Sequence, residues 1–245
     1  MLRRFCQFTL ALFLLMQLLW RPMCLLAADS LPSPDEIVEK YIKALGGTEA
    51  LQKIASRVSK GSLENVGEGT AQTLEIYKKG PDKFYQIAST LDGPYRQAYD
   101  GNIGWAHYPG DKVHEVGGAE LSRLKRQAVL QIELRMRELF PKMKVLGKEK
   151  VGGKDTFVLE ASPPEGSPEK FYFDSQDGLL LQHEYVGDAW YGQTTISEQF
   201  SDFREVDGIK IPFTTRQSGI DLTIRMKEIK HNVLIDDSKF AKPVE

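Results

Sequence analysis

The residue types that most often perform chemistry are few and widely separated in this sequence of 245 residues. Each of the four histidines falls in a different predicted strand, and the neighbours His183 and Glu184 point to opposite faces of theirs. A transition metal needs several such ligands around one point. We therefore predict no metal site at the histidines, which are His107, His114, His183 and His231.

Two short segments resemble functional loops but lack essential parts. Residues 152–155 have neither the earlier glycine nor the Ser or Thr of a phosphate-binding loop. Residues 174–178 begin like a calcium loop, but the position that should hold a bidentate acid is Tyr185. No G-x-S-x-G nucleophile motif occurs either. We therefore expect hairpin turns at both segments and a non-covalent function, with no catalytic residue and no cofactor.

The first 28 residues are predicted to form a secretory signal peptide. Two arginines precede an apolar run over residues 5–20, and an alanine pair ends at Ala28, just before the first acidic residue. An uncleaved anchor is the alternative, and lipid attachment at Cys24 is disfavoured by the residues before it. Both cysteines lie in this segment, so the chain after Ala28 can form no disulfide.

The charge of the exported chain argues against one class of partner. Without the three arginines of the signal segment, 29 basic residues face 34 acidic ones, a net charge of about −5. A nucleic-acid partner would require a basic face. We therefore expect no nucleic-acid partner. No low-complexity linker divides residues 29–245, which predicts a single domain.

Two helical regions are predicted to flank the β structure. The first covers about residues 33–55 and opens with a capping box between Ser33 and Glu36. The second covers 119–143 and is stopped by Pro141. Its arginines and lysines could bind a membrane surface or a partner, but the interspersed glutamates favour a solvated outer face.

The remaining sequence alternates with a period of two and predicts roughly eleven antiparallel strands, which should curl. Hairpin turns are indicated at Gly152-Gly153, Asp177-Gly178 and Asp207-Gly208. Before the last of these, the apolar alternation slips between residues 200 and 203, which suggests a β-bulge. Pro212 donates no hydrogen bond, so its strand should be an edge or be bulged there.

The order of helix, meander, helical insertion and meander, with the segments VDGIKIPF (206–213) and IDDSKF (235–240), resembles the LolA-like family of periplasmic lipoprotein carriers. The resemblance implies a mainly β fold with an α lid: a curved, half-open antiparallel β-barrel whose helices pack on the concave face. It also implies a monomeric, non-enzymatic protein in the periplasm of a Gram-negative-type bacterium. Its apolar cavity would shield the acyl chains of a lipoprotein or another lipid.

The cavity wall is expected to come from apolar residues of the lid and the concave face, each of which could equally be ordinary core. An envelope sensor or interaction module could use the same half-barrel and would show a docking surface. An enzyme would need a pocket of converging carboxylates or histidines. The candidate cavity residues are Leu74, Ile76, Phe84, Tyr95, Trp105, Leu121, Leu124, Ala128, Ile132, Phe171, Phe173, Phe200, Ile211 and Phe213.

Overall fold

The computed structural model describes residues 30–65, 71–189 and 192–244, so the predicted signal peptide lies outside the described residues. The helices are α1 (Pro34–Leu45), α2 (Thr48–Gln52), α3 (Gly118–Ala128) and α4 (Met136–Leu139). The strands are β1 (Ser56–Asn65), β2 (Ala71–Lys79), β3 (Lys83–Thr90), β4 (Gly93–Tyr99), β5 (Gly104–His107), β6 (His114–Glu115), β7 (Lys142–Val151), β8 (Lys154–Ser162), β9 (Glu169–Asp174), β10 (Leu180–Ala189), β11 (Gly192–Val206), β12 (Ile209–Ser218) and β13 (Leu222–His231).

Thirteen strands of the described chain form one antiparallel sheet in the order β6-β5-β4-β3-β2-β1-β13-β12-β11-β10-β9-β8-β7. The mainly β, curved antiparallel architecture is confirmed, but the predicted count of eleven strands is too low. The strands differ in length from two residues in β6 to fifteen in β11, so the alternating segments of the sequence do not fix their number. Strands β6 and β7 end the sheet and do not pair with each other, so the sheet stays open.

Helix α1 begins with the predicted capping box. The Ser33 hydroxyl accepts a hydrogen bond from the Glu36 amide, and the Glu36 carboxylate accepts one from the Ser33 amide. The helix ends at Gly46, whose φ of 130° favours glycine. A Cβ at Gly46 would lie 2.1 Å from the Gly208 carbonyl oxygen. The end of α1 therefore rests directly on the turn between β11 and β12.

The β11–β12 hairpin turns at Asp207-Gly208 as predicted, with φ angles of 52° and 77°. The predicted bulge in β11 is wrong, because pairing runs without a shift from Ser197 to Val206. Asp202 instead adopts a φ of 54° where the apolar alternation slips. Pro212 pairs only towards β11, since β12 contacts β13 through residues 214–217 alone. That half of β12 is an edge, as Pro212 predicts.

The helix predicted over 119–143 is broken in the structure. Helix α3 ends at Ala128, a 3₁₀ turn and the short α4 follow, and β7 begins at Lys142. Contacts with distant backbone explain the break. The Leu130 amide donates to the Pro81 carbonyl at 3.2 Å, and the Gln131 side chain donates to the Leu51 carbonyl at 3.2 Å. The chain leaves the helix to satisfy these groups, which periodicity alone does not register.

The face of the sheet opposite α1 and α3, here called the outer face, is covered by the C-terminal strap, residues 232–244. The Trp105 indole donates a hydrogen bond to the Phe240 carbonyl at 2.9 Å. Asp237 of the strap pairs with Lys79 at 2.7 Å and Lys83 at 2.8 Å. The strap and the sheet together bury an outer cluster of Val58, Tyr85, Ala98, Trp105, Ile235 and Phe240.

We expect Phe240→Ala to lower the free energy of unfolding by about 3 to 5 kcal/mol, because it empties a fully buried aromatic site. Urea denaturation of the purified chain measures this. Leu234→Ala, in the same strap but fully exposed, should change stability by less than about 0.5 kcal/mol. Equal effects of the two substitutions would contradict a packed strap.

Candidate ligand-binding face

The inner face of the sheet, covered by α1 and α3, carries most of the predicted cavity residues. Helix α3 packs on β2 to β5 through the α3 cluster, in which Leu124 is 1% exposed. A Cβ at Gly104 would lie 2.8 Å from Leu121, so glycine permits this close approach. The α3 cluster consists of Phe84, Tyr99, Ala106, Val116, Leu124 and Ala128, with Ile76 and Leu121 partly buried against it.

Helix α1 covers a second and larger group of inner-face residues, the α1 cluster. The Tyr41 ring lies 5.1 Å from that of Phe173, and Phe140 lies 5.3 Å from Phe171. Ile211 and Phe213 of β12 are buried in the same cluster. These predicted cavity residues therefore form part of a continuous apolar core under α1, and their role in ligand binding stays a prediction.

Between the two clusters lies a set of apolar residues that belongs to neither of them. Cross-strand pairing places them on the inner face in neighbouring rows. In one row Ala88 pairs with Leu74 on one side and with Tyr95 on the other. In another row Thr215 pairs with Phe200 and with Ile224. All but the buried Leu74 are partly exposed. This apolar strip consists of Leu63, Leu74, Tyr95, Phe200, Leu222 and Ile224.

Two predicted cavity residues lie apart from these groups. Trp105 pairs with Ala98 on the outer face and is buried under the C-terminal strap. It therefore cannot share one cavity with Leu124, which lies on the inner face. Ile132 is in the 3₁₀ turn after α3, partly exposed and in none of the buried clusters.

Next to the apolar strip, four charged side chains form an ion network. Arg126 of α3 lies 2.7 Å from the Glu169 carboxylate, and His183 donates to the other oxygen of Glu169 at 2.7 Å. The second nitrogen of His183 lies 3.9 Å from Glu198. Gln217 donates to Glu198 at 2.6 Å. Positive and negative groups alternate along the chain of contacts, so the network is neutral.

The network holds its members in their charged forms. Burial by itself lowers the pKa of His183, but the hydrogen bonds and charges of Glu169 and Glu198 outweigh it and raise the pKa to about 9. Burial raises the pKa of Glu169, but His183 and Arg126 reverse this and lower it. Burial likewise raises the pKa of Glu198, and its contacts with His183 again lower it. His183 is therefore a cation at neutral pH.

A small pocket opens beside the network, between the first turns of α3 and the ends of β9 to β11. Its volume is about 130 Å³. Arg123 lies with its guanidinium carbon 6.0 Å from the centre of the Tyr185 ring. The lining consists of Ala119, Glu120, Arg123, Arg126, Gly166, Ser167, Glu169, Tyr185, Val186 and Gln193.

Helix α3 is tied to both halves of the sheet. On one side the Lys78 ammonium donates to the Gln127 carbonyl at 2.6 Å. On the other, Ser122 donates to the Glu165 carboxylate at 2.6 Å, and Arg126 pairs with Glu169. The prediction that the basic residues of α3 form a solvated outer face is thus wrong for Arg126, whose side chain is 14% exposed.

Sequence reasoning missed the ion network because its members are far apart in the chain. His183 and Tyr185 are two residues apart in β10, so the sequence does predict that they share one face of the strand. The pairing of His183 with Glu198 depends on the β10–β11 register, in which Ala189 pairs with Gly192. No Asn-Gly or Asp-Gly turn marks that hairpin, so the sequence did not reveal the register.

The described residues contain no group of three or more His, Cys, Asp or Glu side chains arranged to hold a metal ion. In the ion network both nitrogens of His183 face carboxylates, and the imidazole stacks on Phe171 at 4.3 Å. None of the helices in the described part of the chain has the length and apolar character needed to cross a membrane.

An open, curved antiparallel sheet with helices across its inner face is a LolA-like fold, and solved structures bear this out. A LolA superfamily protein from Nitrosomonas europaea superposes with a TM-score of 0.57 at 12% identity, over 86% of this chain and 99% of that one. A DUF1329 family protein from Desulfovibrio piger gives 0.56 at 16% identity, over 84% and 96%. A domain named for outer membrane lipoprotein sorting, from Vibrio parahaemolyticus, gives 0.52 at 14% identity, over 84% and 94%. Neither family models nor curated sequences match the chain.

We expect the stability of the protein to fall as the pH rises from 6.5 through 9. The pKa of His183 is about 9 in the folded state and near 6.5 when unfolded, so its stabilising charge is present at low pH and lost on deprotonation. The loss amounts to at most about 3 kcal/mol. Urea denaturation of wild type and His183→Gln at pH 6 and pH 9.5 measures the difference.

The difference in stability between the two proteins at each pH removes the contribution of other titrating groups. Lys78 is one of these, because burial lowers its pKa to about 8. His114→Gln, at an exposed position, should retain the wild-type pH dependence. An identical pH dependence in wild type and His183→Gln would show that the network does not hold His183 as a cation.

Proposed function

We propose that the chain is a non-enzymatic carrier or binding protein that shields the acyl chains of a lipoprotein or another lipid on its inner face. The observation that carries this proposal is the apolar strip on the inner face of the sheet, in which five of the six residues are partly exposed. A soluble protein normally buries such a surface or covers it with a ligand. The LolA-like fold agrees with this use.

The energetics of acyl binding require a movable cover. Each methylene removed from water contributes about 0.8 kcal/mol, so a long chain bound on an open apolar surface would hardly be released. A cover that closes over the strip when the site is empty offsets part of that gain. The candidate for this cover is α3, because it spans from the α3 cluster on β2–β5 to Glu165 and Glu169 at the opposite side.

The polar ties of α3 suit a reversible lid. Ser122–Glu165 is a single hydrogen bond at the protein surface, which has a small net free energy. Arg126–Glu169 is nearly buried, and the desolvation of both ions offsets much of their attraction. Glu169 also keeps His183 as a partner if Arg126 moves away, so opening leaves no unpaired buried carboxylate.

The charged residues near the pocket favour binding over catalysis. A pocket with convergent carboxylates and a histidine would favour an enzyme, and Glu169, His183 and Glu198 do converge. A histidine that acts as a general base, however, must be unprotonated and accessible at the working pH. His183 is protonated at neutral pH and engaged by a carboxylate on each side, so the cluster serves as an ionic contact between α3, β9, β10 and β11.

The proposal includes an exported location, in the periplasm of a Gram-negative-type bacterium. Its support is the signal-peptide pattern of residues 1–28 and the similarity to a domain named for outer membrane lipoprotein sorting. We further propose that residues 29–245 act as one monomeric domain. The expected partner is the lipid-modified end of a lipoprotein, or an envelope protein that delivers or receives the lipid.

We expect the delipidated protein to bind a fluorescent fatty-acid probe with one-to-one stoichiometry, and Ile224→Thr to weaken binding about fivefold to tenfold. The substitution keeps a β-branched residue in β13 but removes apolar contact from the strip. Because Ile224 is already partly exposed, the free energy of unfolding should fall by less than about 1.5 kcal/mol. Fluorescence titration and urea denaturation measure the two quantities.

Leu146→Thr is the matched control, since Leu146 is an exposed aliphatic residue on β7 outside the strip. It should leave probe affinity unchanged. If wild type binds no probe after delipidation, the carrier proposal is wrong and an envelope interaction module becomes the better explanation.

A separate experiment tests α3 as the lid. Leu124→Ala removes buried apolar contact in the α3 cluster and should loosen the docked helix. If α3 is a lid, the probe affinity should change by more than about threefold, and the free energy of unfolding should fall by less than about 2 kcal/mol. The reason is that a lid can undock locally, so the cavity left by Leu124→Ala does not destabilise the whole domain. A loss of about 2 to 5 kcal/mol with unchanged affinity would make α3 permanent core.

A further inference from the structure

We infer that the pocket beside α3 binds a zwitterionic headgroup, with an ammonium held by Glu120 and an oxyanion held by Arg123. Both side chains line the pocket, whose volume is about 130 Å³. That volume corresponds to about four water molecules, which is the scale of a small polar group and too small for a long acyl chain. The assignment of the headgroup to a lipid rests on the function proposed above, whereas the chemistry of the pocket does not.

The other charges of the pocket are already neutralised. Arg126 pairs with Glu169, and Glu169 also accepts from His183, which faces Glu198 in turn. These four side chains contribute no net charge. A ligand would have to break the ion network to use any of them.

Within the described part of the chain, Glu120 and Arg123 remain as one anion and one cation that form no salt bridge. Among the described residues, neither lies within ion-pair distance of an oppositely charged group. Glu120 accepts a long hydrogen bond, 3.3 Å, from the Gln97 side-chain amide, and the Arg123 guanidinium lies 6.0 Å from the centre of the Tyr185 ring. Three residues apart on α3, they fall on the same side of the helix. The pocket thus presents both signs of charge to one ligand.

A ligand of a single charge fits this arrangement poorly. A simple anion would gain from Arg123 but be repelled by Glu120, and a simple cation would meet the reverse. A molecule that carries an ammonium and a phosphate or carboxylate a few bonds apart satisfies both side chains. The guanidinium suits the oxyanion in particular, because its planar fork of donors matches two oxygens.

The pocket lies near the apolar strip. Burial is the main cause that raises the pKa of the Tyr95 hydroxyl, and the charges of Glu120 and Arg123 also act on it. The first turns of α3 therefore lie beside Tyr95 of the strip. The buried Ile196 pairs with Tyr185 at the pocket wall. An acyl chain attached to a headgroup held by Glu120 and Arg123 would therefore lead from the pocket towards the strip.

NMR titration of the protein with glycerophosphoethanolamine, a zwitterionic headgroup without acyl chains, tests the inference. We expect shifts at Tyr185 and Gln193, and an affinity at least about tenfold higher than that for glycerol 3-phosphate or for ethanolamine. Arg123→Gln and Glu120→Gln should each weaken binding about tenfold or more. Lys125→Gln, exposed on the same helix and outside the pocket, should bind as wild type.

The sign of the Glu120→Gln effect decides the outcome. If Glu120→Gln binds glycerophosphoethanolamine more tightly, or if glycerol 3-phosphate binds as well as the zwitterion, the pocket is a plain anion site and the inference is wrong. No shift at Tyr185 or Gln193 with any probe also overturns it. Unfolding curves of both variants that match wild type exclude misfolding as the cause of a loss.

A titration with lysophosphatidylethanolamine, which carries the same headgroup and one acyl chain, distinguishes this inference from the proposed function. If the single-chain lipid binds at least about tenfold more tightly than the free headgroup and displaces the fatty-acid probe, both stand. If the headgroup binds but the chain adds nothing, the acyl-carrier proposal fails and the zwitterion pocket remains. If the fatty-acid probe binds and no headgroup does, only the pocket inference fails.

Discussion

The pairing of β1 with β13 holds the two halves of the sheet together. Its partners Arg57 and His231 are 174 residues apart in the chain, so this contact closes the longest loop of the sheet. It joins β2–β6 and β7–β12 into one surface, on which Ile229, Ser59 and Ile76 lie side by side. Only because of this junction does α3, packed on one half, reach Glu165 and Glu169 on the other.

A large open sheet has two faces, and this protein covers them in different ways. The outer face is sealed by the C-terminal strap, which buries Trp105 and satisfies its indole. The inner face is covered at two places, by α1 and by α3, with the apolar strip between them. Strand β12 pairs with β13 over only part of its length, and α1 rests on the turn at Gly208, where β12 has separated from β13. The inner face is thus the side on which a ligand can replace protein contacts.

The two kinds of contact that hold α3 have different consequences. The α3 cluster supplies apolar burial, which is the main source of stability in folded proteins. The Arg126–Glu169 pair adds little net free energy, because both ions are taken from water, but it fixes where the helix rests. His183 holds Glu169 ionised and in place. The position of α3 is therefore specified by charge and its stability by apolar contact, a combination that suits a cover with a defined closed state.

Features that are encoded within a few neighbouring residues could be predicted from the sequence. The capping box at Ser33, the turns at Gly152-Gly153 and Asp207-Gly208, the edge character at Pro212 and the β alternation all follow from local backbone chemistry, and together with the family resemblance they predicted a LolA-like, mainly β fold. These features need no knowledge of which strands are neighbours.

The division of the predicted cavity residues between the two faces, and the contacts between polar groups, depend on tertiary packing. Trp105 and Leu124 were both predicted to line the cavity, yet they lie on opposite faces, because Trp105 and Ala106 point to opposite sides of β5 and α3 packs on the Ala106 side. The break after Ala128 depends on the distant carbonyls of Leu51 and Pro81. Arg126, Glu169 and His183 come together through strand register and the docking of α3. Side-chain periodicity specifies which face of an element is apolar, whereas register and docking specify which faces meet, and these depend on contacts between residues far apart in the chain.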